Sequence, residues 1–249
     1  MRGFRQNRPV RTGDDIDGLL LVDKPAGPTS HDVVDAVRTL FDLPKVGHGG
    51  TLDPGATGLL VLLLGRATKI SQAVMSADKT YEGSLILGVS TDTHDAEGEV
   101  LARGDASGVT RERLAAEFRK WVGDVEQIPP MVSAIKKDGQ ALYKMARQGQ
   151  EVEREARLLH IFEFALLDFV PPLARFRVCC SKGTYVRTLC HDVGAGLGCG
   201  ACMNTLRRTR SGKLDLAQAV RFEDLIDFDR PTLMQHLLPI ATVALRGPA

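Results

Sequence analysis

The stretch Lys45-Val46-Gly47-His48-Gly49-Gly50-Thr51-Leu52-Asp53-Pro54-Gly55-Ala56-Thr57-Gly58 constrains this chain more than any other segment. Five glycines in fourteen residues disfavour both helix and strand, because glycine gives up the most backbone freedom on ordering and offers no side chain to pack. The segment reads as a polar loop, with helical residues before it and the apolar run Leu59–Leu64 after it. Gly47, Gly49 and Gly50 allow a ligand to approach the main chain closely. Pro54 fixes its own φ and biases Asp53 toward extended geometry. The result is a carboxylate presented on a stiffened loop beside His48, a common way for a scaffold to offer a reactive group. Two plainer readings compete. Asp53-Pro54-Gly55 is good turn chemistry in its own right. A phosphate-cradling loop is the other, and it fails because no Gly-Lys-Ser/Thr closes the segment.

The surrounding pattern predicts mixed secondary structure. Gly18–Val22 reads as a buried strand. Val33, Val34, Val37, Leu40 and Phe41 mark a helix that Thr29 or Ser30 can cap. The run between Gly58 and Gly65 fits a buried strand or helix. Lys79–Val89 alternates as a strand, residues 91–98 turn, and Glu99–Ala102 can return as a second strand. Residues 110–121 read as a helix capped by Thr110. A short strand is expected over Val132–Ile135 and a short helix over Leu142–Gln148. Leu158–Val170 and Phe176–Cys180 suggest a hairpin across Pro171-Pro172, followed by a helix over Thr184–Leu197 and an extended stretch over Leu206–Lys213. Strands and helices without a regular βαβ period argue for an α+β fold. At 249 residues with 43% hydrophobic content, the chain can bury a core without disulfides or metal. The expected division is a basic arm at 1–17, a main domain at 18–225 and a C-terminal tail at 226–249.

Several ordered motifs share one resemblance. Lys45–Leu60 resembles the signature of the TruB family of tRNA pseudouridine synthases. Asp23-Lys24-Pro25 with Gly27 and Thr29-Ser30 is similar to that family's N-terminal motif. Lys79-Thr80-Tyr81 is similar to its Lys-x-Tyr segment, Gly183–Leu189 to its tyrosine–arginine segment, and Leu206-Arg207-Arg208 follows at the expected remove. The matches run in order from about Gly18 to Val220. The resemblance implies the pseudouridine synthase catalytic fold, with a mixed, mostly antiparallel sheet. It also implies isomerisation of uridine 55 in the T-loop of tRNA, with the base flipped out of its stack.

By the same resemblance, Asp53 is the essential carboxylate and Arg187 its ion-pair partner. Tyr81 stacks on the target base and lies where the C5 proton leaves. Tyr185 and Leu206 wall the uracil pocket, and His48 meets the displaced RNA. Lys24 and the basic stretch Arg207–Lys213 are expected to meet phosphates. Neither cofactor nor metal is implied. The expected partner is the tRNA T-arm, bound by a monomer without an obligate protein partner, and no full C-terminal PUA domain is expected. Two rivals remain: an RNA-binding or RNA-folding module with secondary or no catalysis, and a synthase acting on another RNA. An intact Asp53, Tyr81 and Arg187 favours the enzyme.

Other signals carry less. The formal net charge is +1, so bulk charge does not indicate a polyanion partner, although Arg2, Arg5, Arg8 and Arg11 cluster without an acid. Cys199-x-x-Cys202 beside Cys190-His191 lacks the paired spacing of a zinc site. Asp92, Asp95 and Glu97 miss calcium-loop spacing and read as a solvated turn. Five cysteines with no secretory signal, and no apolar run near bilayer length, place the expected protein in the cytoplasm and off the membrane.

Overall fold

The computed structural model describes residues 16–133, 136–137, 139–142, 145, 150 and 152–244. Strand β1 (Gly18–Lys24) leads to helix α1 (Ser30–Leu40), whose cap is reciprocal: Thr29 Oγ1 accepts from the Asp32 N–H, and the Asp32 carboxylate accepts from the Thr29 N–H. Strands β2 (Val46–His48) and β3 (Thr57–Leu64) flank the glycine-rich loop. A 3₁₀ turn (Gly65–Ile70) and α2 (Ser71–Ser76) precede β4 (Lys79–Leu87). The long alternating run breaks at Gly88, and β5 (Val89–Thr91) pairs with β6 (Val100–Arg103) as a separate ribbon. Next come α3 (Arg111–Lys120), capped by Thr110 as expected, β7 (Gly123–Gln127), and the small pair β8 (Lys136–Lys137) and β9 (Gln140–Ala141).

The hairpin across Pro171-Pro172 joins β10 (Arg157–Val170) to β11 (Leu173–Cys180). Helix α4 (Val186–Leu197) follows, then β12 (Ala201–Ser211), β13 (Leu214–Asp215) and β14 (Val220–Arg221). The chain closes with α5 (Arg230–Gln235), β15 (Leu237–Leu238) and α6 (Ala241–Ala244).

The main sheet runs β14-β1-β3-β12-β4-β11-β10-β7, with β2 on β3, β13 on β12 and β15 on β1. It is antiparallel except at β1–β14 and β3–β12, so the α+β class and mixed sheet are as expected. The apolar run of β3 is a strand covered on both faces. Leu60, Leu62 and Leu64 enter the main core with α1, α3 and α4, while Leu59, Val61 and Leu63 meet Leu19, Leu21 and Val74 on the other face. That explains why its sequence is continuous and not alternating.

Some expectations shift. Val132 and Ser133 are bends and not strand, and Ala134 and Ile135 lie outside the described residues, as does most of the expected helix 142–148. Of the N-terminal arm only Ile16 and Asp17 are described. Ile16 is buried in the core, and the Asp17 carboxylate is fixed to Arg66 Nε at 2.5 Å. The segment expected as a tail is packed. Its β15 pairs with β1, and Leu233 is fully buried in the main core.

Candidate active site

The chemistry-bearing loop leaves β2 and enters β3, so a two-face-buried strand anchors its far end. The turn itself is real, with the Ala56 N–H donating to Asp53 O at 3.1 Å, and its context adds more than a turn requires. Three long-range clamps hold it. Ser30 Oγ donates to Leu52 O at 2.9 Å and accepts from the Leu52 N–H at 2.8 Å. Lys24 Nζ donates to the carbonyls of Pro25, Pro54 and Ala56 at 2.8, 3.0 and 2.8 Å. Arg208 reaches from β12 to Leu59 O, Thr51 O and Gly50 O at 2.7, 3.3 and 3.0 Å. Main-chain carbonyls that a polar loop would otherwise leave to water are thus satisfied by buried cations.

Two glycines make this packing possible. A Cβ at Gly58 would stand 2.4 Å from Arg208 O, where β12 runs parallel to β3, and Gly58 has φ +96°. A Cβ at Gly49 would meet Val74 Cγ1 at 2.2 Å. Either substitution would lift the loop off its support.

Asp53 therefore points from a fixed backbone. Its side chain is 47% exposed, and Oδ2 lies 3.3 Å from Arg187 Nη1. Arg187, at the start of α4, is almost wholly buried. It also holds Asp95 Oδ2 at 3.4 Å and donates through Nη2 to Val132 O. Its guanidinium lies over the Tyr185 ring, 5.7 Å from the centroid, in the range of a cation–π contact. One buried guanidinium is shared by two carboxylates, which fixes its orientation and keeps positive charge next to Asp53.

Asp95 is the residue that sequence reasoning missed. Its sequence context predicts a solvated turn, but its side chain is only 14% exposed. Residues 94–96 are zipped to β12, the Met203 N–H donating to His94 O and the Ala96 N–H to Met203 O. No local pattern announces that burial, because a strand over 100 residues away produces it.

A cleft of about 560 Å³ opens on Asp53. Tyr81, Tyr185, Arg187, Leu206, Met203, Lys79 and Arg208 line it, joined by Arg157–Leu159 from β10 and Ser181–Val186 from the turn after β11. Of the expected site residues, Asp53, Tyr81, Arg187, Tyr185 and Leu206 are brought together. Tyr81 sits opposite Arg208 in the β4–β12 register. Burial pushes its phenol up, against the charge and hydrogen bond of Arg208, so it is neutral at ordinary pH. Burial pushes Tyr185 up as well.

Of the other three assignments, that of Lys24 is corrected, and His48 and the basic stretch are placed as follows. Lys24 has no exposed surface, so its ammonium braces the loop and does not face a phosphate. Burial pulls it down to about 8, opposed by Asp53 and Glu97. In the basic stretch, Arg208 is buried on carbonyls, while Arg207, paired with Asp23 at 2.6 Å, Arg210, paired with Asp215 at 3.4 Å, and Lys213 are all exposed. His48 sits on β2, accepts from the Gly50 N–H at 3.4 Å, and is not among the residues lining the cleft. Burial lowers its pKa, so it is a neutral imidazole near neutral pH.

Among the described residues, no group of three or more His, Cys, Asp or Glu side chains is placed to hold a metal ion, and no helix is long and apolar enough to cross a membrane.

Comparison with known proteins places the chain among relatives. Residues 38–186 match the model of the TruB family pseudouridylate synthase (N terminal domain), and residues 187–244 match the tRNA pseudouridylate synthase B C-terminal domain. The boundary between the two falls between Val186 and Arg187, in the first turn of α4. The chain is 51% identical over 237 residues to tRNA pseudouridine synthase B of Syntrophotalea carbinolica, covering 94% of this chain and 76% of that one. It is 48% identical over 235 residues to tRNA pseudouridine synthase B of Opitutus terrae, covering 94% and 98%. Among solved structures, a crystal structure of a Cbf5-Nop10-Gar1 complex superposes with a TM-score of 0.73 at 30% identity, over 91% of this chain and 61% of that one. The structure of an H/ACA RNP bound to a substrate RNA containing 2'-deoxyuridine gives 0.69 at 25%, over 96% and 68%.

Proposed function

The chain belongs to the TruB family of pseudouridylate synthases, and from that membership we propose that it isomerises uridine 55 in the T-loop of tRNA, with Asp53 as the reacting carboxylate. The reaction breaks the N1–C1′ bond, turns the uracil and rejoins it through C5. One proton leaves C5 and N1 ends protonated, so the overall change needs no electron donor, energy source or added group.

The observation that carries this reading is the half-exposed Asp53 carboxylate paired to a buried arginine at a cleft walled by Tyr81, Tyr185 and Leu206. An anion beside C1′ can attack the sugar, stabilise positive character there or take a sugar proton, and each route needs the carboxylate charged and held still. Arg187 serves that need. Tyr81 and Tyr185 offer flat apolar faces to a uracil taken out of its stack, and they hold the detached base while it turns. A neutral Tyr81 fits this holding role. Removal of the C5 proton by Tyr81 would require Arg208 to stabilise a transient phenolate. The enzyme acts on the T-arm as a monomer in the cytoplasm, without an obligate protein partner.

The test is to incubate purified protein with an unmodified T-arm hairpin and map pseudouridine, alongside Asp53→Asn. Product at position 55 with wild type and none with the variant is expected. Equal rates would remove Asp53 from the reaction.

A further inference from the structure

Five cations line the cleft: Lys79, Arg157, Lys182, Arg187 and Arg208. Three are already answered within the protein. Lys79 Nζ donates to the carbonyls of Val74, Met75 and Ala77, at 3.4, 2.6 and 2.5 Å. Arg208 is spent on Leu59, Thr51 and Gly50, and Arg187 on Asp53, Asp95 and Val132. A buried donor on a buried carbonyl cannot turn to a phosphate without leaving that carbonyl unsatisfied.

Arg157 and Lys182 differ. Both are exposed, and neither side chain has a hydrogen-bond or ion-pair partner among the described residues. They belong to one wall. Arg157 opens β10, Lys182 lies in the turn after β11, and the two segments are tied where the Ser181 N–H donates to His160 O at 2.8 Å and the His160 N–H to Ser181 Oγ at 2.9 Å. Leu158, next to Arg157 on the same wall, leaves 71% of its surface open. A large exposed leucine flanked by free cations at a cleft mouth suits a ligand that is apolar in its rings and anionic in its backbone.

We propose that Arg157 and Lys182 form the phosphate-holding rim of the cleft, gripping the RNA backbone on the two sides of the everted nucleotide, with Leu158 as the apolar surface against which its ribose or a neighbouring base lies. The proposal rests on the RNA-isomerase reading, and it sets phosphate contacts on the wall formed by the start of β10 and the turn after β11, in place of the buried Lys24.

Binding of the unmodified T-arm hairpin is measured by filter retention from about 50 to about 200 mM salt for wild type, Arg157→Ala, Lys182→Ala, the double variant and Arg103→Ala, an exposed cation on β6 outside the cleft. Each single rim variant should weaken affinity and flatten the log–log salt slope by about 0.7 to 1, the double variant by about twice that, while Arg103→Ala leaves both unchanged. The loss should fall on affinity more than on the saturating single-turnover rate. Methylphosphonate linkages flanking the target uridine should weaken wild type and add nothing in the double variant. Wild-type slopes in the rim variants, or full methylphosphonate sensitivity in the double variant, would overturn the rim. Rim-dependent binding of an RNA in which wild type forms no pseudouridine would instead uphold the rim as an RNA contact and overturn the isomerase reading.

Discussion

At the residue scale, the site separates side chains open to a ligand from side chains that brace. Asp53 is half exposed and its backbone is held by others, so Asp53→Asn should leave the melting temperature within about 2 °C while lowering single-turnover pseudouridine formation by at least about 10³-fold. Lys24 is the opposite case. Lys24→Met strands one buried and two part-buried carbonyls and should cost about 2–4 kcal/mol in urea unfolding, with activity falling as the loop loosens. Asp95 lies between the two. Asp95→Asn keeps the volume but removes half of the charge that orients Arg187. A roughly 10- to 100-fold slower saturating rate with little change in RNA affinity is expected from quench-flow and binding measurements. A parallel fall in affinity would point to RNA contact instead.

At the element scale, the turn between β5 and β6 is a working part of the site, since it carries Asp95. Its neighbour His94 holds φ +66° and stacks on His191 of α4, with centroids 4.0 Å apart and planes at 8°. Burial drops His94 to about 4, helped by His191 and Arg187 and by Arg154, and opposed by Asp95. With a folded value below the ordinary 6.5, the unfolded chain takes up this proton first as pH falls. The stability contributed by neutral His94 is complete above about 6.5 and is lost progressively toward 4. Urea midpoints taken at about pH 7.5 and about pH 5 should therefore converge in His94→Asn, a substitution that tolerates the left-handed backbone and cannot titrate. An unchanged pH dependence would assign the acid sensitivity to another group. The sequence of this turn, acids around a glycine, predicts a solvated segment. What buries Asp95 is the pairing of the turn with Met203, which lies far along the chain.

At the scale of the whole molecule, the sheet is closed by its last segments. Residues 226–244 show little periodicity, yet β15 pairs with β1 and Leu233 is buried among the residues that also hold Val33 and Leu20. Leu233→Ala should cost about 3 kcal/mol in urea unfolding, a core value and not a tail value. Less than about 1 kcal/mol would mean the segment contributes little to the domain. The same closure sets β1 between β3 and β14, which fixes Lys24 beneath the Asp53 loop.

The sequence by itself determined the parts whose signal is local. Glycine and proline spacing marked a stiff loop presenting Asp53, although Val46–His48 and Thr57–Gly58 at its ends are paired strand; capping residues marked α1 and α3, and ordered motifs pointed to Tyr81, Tyr185, Arg187 and Leu206. Only the tertiary structure decided which cations are spent and which are free. Arg207 and Arg208 are neighbours in sequence, yet one pairs at the surface with Asp23 and the other is buried on the loop carbonyls, because successive strand residues face opposite ways and β12 lies parallel to β3. Charge is written residue by residue. Its partner, its burial and so its availability to a phosphate follow from pairings across 149 residues that no local pattern encodes.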